Sequence, residues 1–336
     1  MNTSSVVRVL ACFVFTMFLV TGSALAYDEK DPMILKCGID NPPQDMKSVT
    51  IKRLGDLVEK GTKGRIKFQY FFGGSLITKP QFVEAVGKGI ADISTGPGGF
   101  VSGKIPALYP FEIYGAINFD KFLEVQKAVE PVMIKLFESK DVRPIMMQYN
   151  PDTVFAHRTK FLKAPADWKG QKIRVSGRFQ SALAAKWGAS PVFMPPGELF
   201  LALQRGTIDG NQLIVDIVSG LKLYEVTPFL TLPNFSNNSE FVTMNLKKWN
   251  AMTEADRTVF QQALDEVKVW TVQASKKELE TLKANMASKG AKIYYTTPDE
   301  DRAYLKDALA LWPEVRQLSG PIGNEICDIL DKYKLQ

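Results

Sequence analysis

A single histidine, His157, stands in 336 residues. That scarcity removes most hydrolytic chemistry: a Ser/His/Asp triad needs a His oriented by a carboxylate, and zinc sites take several His or Cys at set spacings. His157 has no such company, so a structural role is expected and no metal site. Cysteine is nearly as rare, with Cys12, Cys37 and Cys327 only. No GxGxxG or GKT run is present to cradle a nucleotide, and no cofactor is expected. The closest glycine-rich stretch, Thr95-Gly-Pro-Gly-Gly-Phe100, reads as a turn that lets backbone approach a ligand. Basic residues form no blocks, although the formal net charge is +6; nucleic acid is therefore not an expected partner. After the first 26 residues no apolar run reaches the length of a membrane span.

The first 26 residues have the design of a secretory leader. Arg8 is their only charge, Val9 to Val20 is a mostly apolar run of 12, and Ala24-Leu25-Ala26 is an A-x-A cleavage site. Cleavage there makes Tyr27 the first residue, lowers the net charge from +6 to +5 and leaves 310 residues, enough for two domains. Cys37 and Cys327 would remain. An oxidising compartment lets them pair, and two separately buried thiols is the other reading.

Alternating strand and helix signals run through the remaining 310 residues. Met33 to Cys37 reads as a strand, and Ile51, Leu54, Leu57 and Val58 make one helix face. Arg65 to Phe72 is a second strand. Thr78 caps a helix carrying Phe82, Val83 and Val86, and Gly89 breaks it before a strand Ile90 to Ser94. Asn118 to Ser139 is helical, Val142 to Tyr149 a strand, and Asn150-Pro151-Asp152 a turn. Thr153 to His157 is another strand, with Arg158 at its end. Thr227 to Asn238 reads as a connection, and Asn237-Asn238-Ser239 matches a glycosylation acceptor. Phe241 to Asn245 is a strand. A helical pattern then runs from Thr253 to Gly290, roughly 55 Å if unbroken. Lys292 to Thr296 is a strand, and the tail from Pro298 is helical.

The stretch Asp167 to Gln212 organises the rest. Lys172-Ile-Arg174-Val175 is a strand; Ser176 is a candidate cap for a helix ending at Gly188. Pro191 to Met194 is a strand, Pro196 opens a helix, and Gly206 stops it behind Arg205. Such alternation implies a parallel sheet covered on both faces, with ligands at the carboxyl ends of its strands. Arg174 stands near one such end. Ala85-Val-Gly-Lys-Gly-Ile-Ala-Asp92 parallels Ala202-Leu-Gln-Arg-Gly-Thr-Ile-Asp209. Both read as a helix end, a glycine stop and a strand entering an Asp, so the chain is expected to form two similar α/β lobes across a cleft.

Four blocks carry a resemblance. Asp167-Trp-Lys-Gly170, Lys172-Ile-Arg174-Val175, Gly188-Ala-Ser-Pro-Val192 and Ala202-Leu-Gln-x-Gly-x-x-Asp-Gly210 succeed one another over about 45 residues. Together they resemble the solute-binding proteins of tripartite ATP-independent periplasmic (TRAP) transporters, of the C4-dicarboxylate-binding type. The resemblance implies an α/β, type II-like two-lobed periplasmic binding protein. Each lobe would be a sheet flanked by helices, joined by crossing strands and a long spanning helix. Residues 27–151 with 239–275 would form lobe 1, and 152–238 with 276–336 lobe 2. The expected activity is capture of a small organic acid in the cleft and its delivery to TRAP membrane subunits, by a monomer in the periplasm and without catalysis. A binding protein of an ABC-type importer and a secreted α/β enzyme are the alternatives.

By the same resemblance Arg174 clamps the ligand carboxylate. Arg158 is the nearest candidate for a second arginine, although its spacing to Asp167 departs from the family's. Asn211 and Gln212 would reach the ligand or help hold a cation, Asn150 lies at the crossing, and Phe72 and Phe100 could wall the pocket, as could Tyr70. Ser176-Gly177 and Pro196 depart from the sialic-acid-binding branch. Dicarboxylates, keto acids, hydroxy acids and aromatic acids stay open.

Overall fold

The computed structural model describes residues 27–150, 152–194, 196–236 and 239–335. The expected leader, Pro151 of the crossing turn and Asn237-Asn238 of the acceptor sequence lie outside the described residues. The strands in chain order are β1 (Met33–Gly38), β2 (Ile66–Phe71), β3 (Ile93–Pro97), β4 (Val142–Gln148), β5 (Thr153–His157) and β6 (Lys172–Val175). They continue with β7 (Ser190–Phe193), β8 (Gly210–Ile214), β9 (Phe229–Leu232), β10 (Glu240–Asn245) and β11 (Lys292–Tyr295). The helices are α1 (Met46–Gly61), α2 (Glu84–Gly87), α3 (Phe122–Glu138), α4 (Arg178–Lys186) and α5 (Leu199–Arg205). Then come α6 (Val215–Gly220), α7 (Leu246–Ala251), α8 (Glu254–Ser288), α9 (Pro298–Leu309) and α10 (Trp312–Leu330).

Two sheets form two lobes. One has the order β2-β1-β3-β10-β4, the other β11-β9-β5-β8-β6-β7. In each, the strands of the expected βαβ units run parallel, and one strand from the other part of the chain runs antiparallel: β10 between β3 and β4, β5 between β8 and β9. The chain crosses between lobes from β4 to β5, from β9 to β10, and along α8. All three crossings lie toward one end of the sheets, so the carboxyl ends of β1, β3, β6 and β8 face each other there.

The repeated sequence turns out to be one device used twice. The Asp92 amide donates to the Lys36 carbonyl (2.7 Å), and its carboxylate accepts from the Lys36 amide (2.8 Å). Asp209 does the same with Lys172, at 2.8 and 2.8 Å. Each Asp therefore opens its strand instead of ending it. This corrects the expected strand Ile90 to Ser94: pairing starts only after Asp92 has joined the neighbouring strand, and Ile90 is left exposed. The helix expected after Thr78 is also shorter, a 3-10 turn over Lys79–Gln81 followed by the single turn α2. Ser176 does not cap α4; Gly177 holds that position, and Ser176 bonds Gln180. The Thr227 to Asn238 connection contains β9.

α8 is continuous over 35 residues, roughly 52 Å. The Thr253 hydroxyl caps it by accepting from the Asp256 amide. Thr271 and Glu266 tie it to α1 through Thr50 and Arg53, and Lys283 ties it to Asp152 beside β5. Tyr27, the first described residue, is buried and donates its hydroxyl to Asp256 (2.8 Å).

The tail divides differently from the expected boundaries. α9 packs on the second lobe, where Trp168 Nε1 donates to the Tyr304 hydroxyl and that hydroxyl to the Leu162 carbonyl, both 2.9 Å. α10 instead lies against residues 106–112 and α3, which come after β3 in the first lobe. Helical periodicity shows that a face is buried, not which lobe covers it. Cys37 and Cys327 are both free and buried, in separate apolar clusters.

Candidate functional site

Arg174 is the penultimate residue of β6, 1% exposed. Its Nε donates to the Met194 carbonyl (3.0 Å) and its Nη1 to the Gln212 carbonyl (3.3 Å). Two of five N–H donors are thereby used. No carboxylate among the described residues pairs with it. Burial alone pushes its pKa down to about 10, so it stays charged at neutral pH. A buried cation without an anion is costly, and the fold supports it with neutral carbonyls only.

Asn211 is Arg174's register partner on β8, so the two side chains share a face of the sheet. Asn211 is 0% exposed, and neither its Oδ1 nor its Nδ2 has a partner among the described residues. Gln212 Oε1 and Asn150 Nδ2 are likewise buried without partners. Buried polar atoms are seldom left so. Asn211 and Gln212 lie inside β8. Gln212 points to the opposite face from Asn211, and Asn150 comes after β4 at the crossing. Phe72 and Phe100 come after β2 and β3 on the first lobe, both half-buried at strand carboxyl ends. Tyr70 is stacked between Phe68 and Phe72 in that lobe's own packing.

Arg158 must be placed elsewhere. β5 runs antiparallel to β8, with His157 opposite Gly210, so its last residue lies at the sheet end away from the crossings. The Arg158 side chain rests against Gly206, the left-handed stop of α5 (φ 73°). The sequence shows an arginine at a strand end but not which end. Next to it, His157 is buried, its Nδ1 accepts from the amides of Thr159 and Lys160, and its Nε2 meets Gln171. Burial lowers its pKa.

An ion cluster that sequence reasoning missed joins the lobes. Lys47 on α1 is 1% exposed and donates to Asp216 on α6 at 2.7 Å, with Asp45 at 3.7 Å. Burial opposes the Lys47 charge, but Asp216, Asp45 and Glu240 outweigh it and its pKa is raised. Glu278 on α8 faces the same group. Burial, then Asp216 and Asp45, push its pKa up to about 7. Asp216, Glu240 and Glu278 are far in sequence from Asp45 and Lys47, so no spacing announced the cluster. Glu112 makes a second contact between the lobes. Its carboxylate accepts from Ser102 and from the Phe179 amide at the start of α4, and burial raises its pKa.

A cavity of about 510 Å³ also lies at the hinge, lined by Tyr149, Asp152, Phe235, Ser236, Lys276 and Lys283 among others. Its buried cation, Lys283, is already paired with Asp152 and Glu280. Among the described residues Arg174 is instead a buried cation with no carboxylate partner, which makes its surroundings the candidate site.

The profile of the family described as bacterial extracellular solute-binding protein, family 7, matches residues 38–317. The chain belongs to that family. A family 7 protein is a solute receptor and not an enzyme, and the resemblance read from the four blocks is borne out. Among its relatives is the 2,3-diketo-L-gulonate-binding periplasmic protein of Escherichia coli, 25% identical over 255 residues, 74% of this chain and 76% of that one. The sialic acid-binding periplasmic protein of Vibrio cholerae is 24% identical over 296 residues, 87% and 90% of the two chains. A TRAP periplasmic solute-binding protein of Desulfovibrio salexigens, solved with orotic acid, superimposes with a TM-score of 0.81 at 21% identity, covering 89% of this chain and 98% of that one. The last shows the same two-lobed fold.

Proposed function

We propose that this family 7 protein is the periplasmic receptor of a TRAP transporter, that it closes around a small organic acid, and that it presents the acid to the membrane subunits. The observation that carries this reading is Arg174, a buried guanidinium with no carboxylate of its own among the described residues. A ligand carboxylate supplies the missing charge. In a water-poor cleft the paired Arg–carboxylate bond is short, directional and strong. Asn211, Asn150 and Gln212 offer neutral hydrogen-bonding groups to the rest of the molecule, and Phe72 and Phe100 supply apolar walls from the facing lobe. Relatives named for sugar acids, sialic acid and C4-dicarboxylates fit a receptor whose acid clamp is constant and whose other contacts vary. The receptor acts as a monomer.

Thermal-shift screening of small acids beside their neutral amides tests the reading. A bound acid at 100 times its Kd stabilises the folded protein by about 2.7 kcal/mol, and the amide does not. X-ray scattering of the same mixture shows a smaller radius of gyration if the lobes close. Amides that stabilise as well as acids would remove the carboxylate clamp.

A further inference from the structure

Asn211 differs from the other buried polar residues near Arg174 in one respect. Both ends of its amide lack partners among the described residues. For Gln212 and Asn150 only one side-chain atom is both fully buried and unpartnered, and exchanging oxygen and nitrogen would change what is demanded. For Asn211 the exchange changes nothing: the site asks for one donor and one acceptor, side by side. The strands hold that demand next to the guanidinium, because Asn211 and Arg174 are partners across β8 and β6, about 5 Å apart. Arg174 keeps one Nη1 proton and both Nη2 protons uncommitted.

We infer that Asn211 reads a hydroxyl group on the carbon next to the ligand's carboxylate, so that the receptor prefers 2-hydroxy acids. This rests on the carboxylate reading of Arg174. A 2-hydroxycarboxylate carries the two functions the amide lacks on adjacent carbons. A carboxylate oxygen held by Arg174 accepts from Asn211 Nδ2, and the neighbouring hydroxyl donates to Asn211 Oδ1. A 2-keto acid has only acceptors, and so leaves Oδ1 buried and unsatisfied. A 2-deoxy acid leaves it facing a CH₂. Either defect costs affinity, because an orphaned buried acceptor keeps its full desolvation penalty.

Calorimetric titration of the exported chain with two matched series tests this: lactate, pyruvate and propionate, and 2-hydroxyglutarate, 2-oxoglutarate and glutarate. In whichever series binds, the hydroxy acid is expected to bind about tenfold to a hundredfold tighter than its keto and deoxy partners. Asn211→Leu, close in shape and without polar atoms, brings the three within about threefold of one another. Equal binding of hydroxy and keto acids by the unmodified protein overturns the inference and would mean that an ordered water satisfies the amide; a preference that survives in Asn211→Leu overturns it too, since another group would then read the hydroxyl. Should that variant fail to fold, the ratio in the unmodified protein decides alone. Where none of these acids binds, the comparison is made with the acid found by thermal shift and its 2-hydroxy, 2-keto and 2-deoxy counterparts; binding of no acid in that whole screen removes the carboxylate reading itself and this inference with it. Keto-acid binding with no hydroxy preference removes only the inference.

Discussion

Replacing Arg174 by Met separates a ligand clamp from a structural arginine. Burial moves the Arg174 pKa from its ordinary value down to about 10, a cost on the order of 3 kcal/mol for holding the charge in place. Met fills a similar volume without that cost. It also gives up the bonds to the Met194 and Gln212 carbonyls, each worth about 1 kcal/mol. The two effects nearly cancel, so ligand-free stability should stay constant or rise by about 1 kcal/mol in urea unfolding. Binding should respond very differently. Removing one partner of a buried charge pair costs about 2–5 kcal/mol, which is roughly 30-fold to several thousand-fold in Kd. Arg174→Lys should recover only part, since an ammonium lacks the planar fork. Calorimetry with the acid identified by thermal shift measures both variants. An affinity within about fivefold of the unmodified protein, or a large loss of ligand-free stability with binding retained, would refute the reasoning.

Two more expectations concern the interlobe cluster. Lys47→Met leaves Asp45, Asp216 and Glu240 without their buried ammonium; stability should drop by about 3 kcal/mol and the ligand-free radius of gyration should rise, whereas no change in either would show that the pair holds nothing together. Glu278 is raised to about 7 in the fold, against about 4.3 when unfolded, so the folded state binds more protons between those values. Stability from this group is present at acid pH and is lost as pH rises from about 4.3 through 7. Glu278→Gln should flatten that decline and add about 1–2 kcal/mol at pH 8, after allowing for partial exposure; an unchanged pH profile of urea midpoints would contradict it.

The strands and the long helix were legible because their signals are local. The Thr253 cap, an unbroken apolar face and the Gly290 stop define α8 with no help from elsewhere. The four blocks from Asp167 to Gly210 fixed the αβ alternation, and the doubled Asp motif announced two related lobes. Arg174 was legible for the same reason, as an arginine placed where a parallel strand runs out.

Direction and partnership were not local. Arg158 and Arg174 both sit at strand ends, but β5 runs antiparallel to β8 and carries Arg158 to the far edge. That choice depends on how distant segments pair. So does the absence of a disulfide, since Cys37 and Cys327 fall into different cores. Lys47 and Asp216 look like ordinary surface charges until α1 and α6 meet beside α8. Composition and periodicity determined which elements this chain could build. Only the tertiary structure decided which buried charge was left unmatched, because an unpaired group is defined by everything that surrounds it and not by its neighbours in sequence.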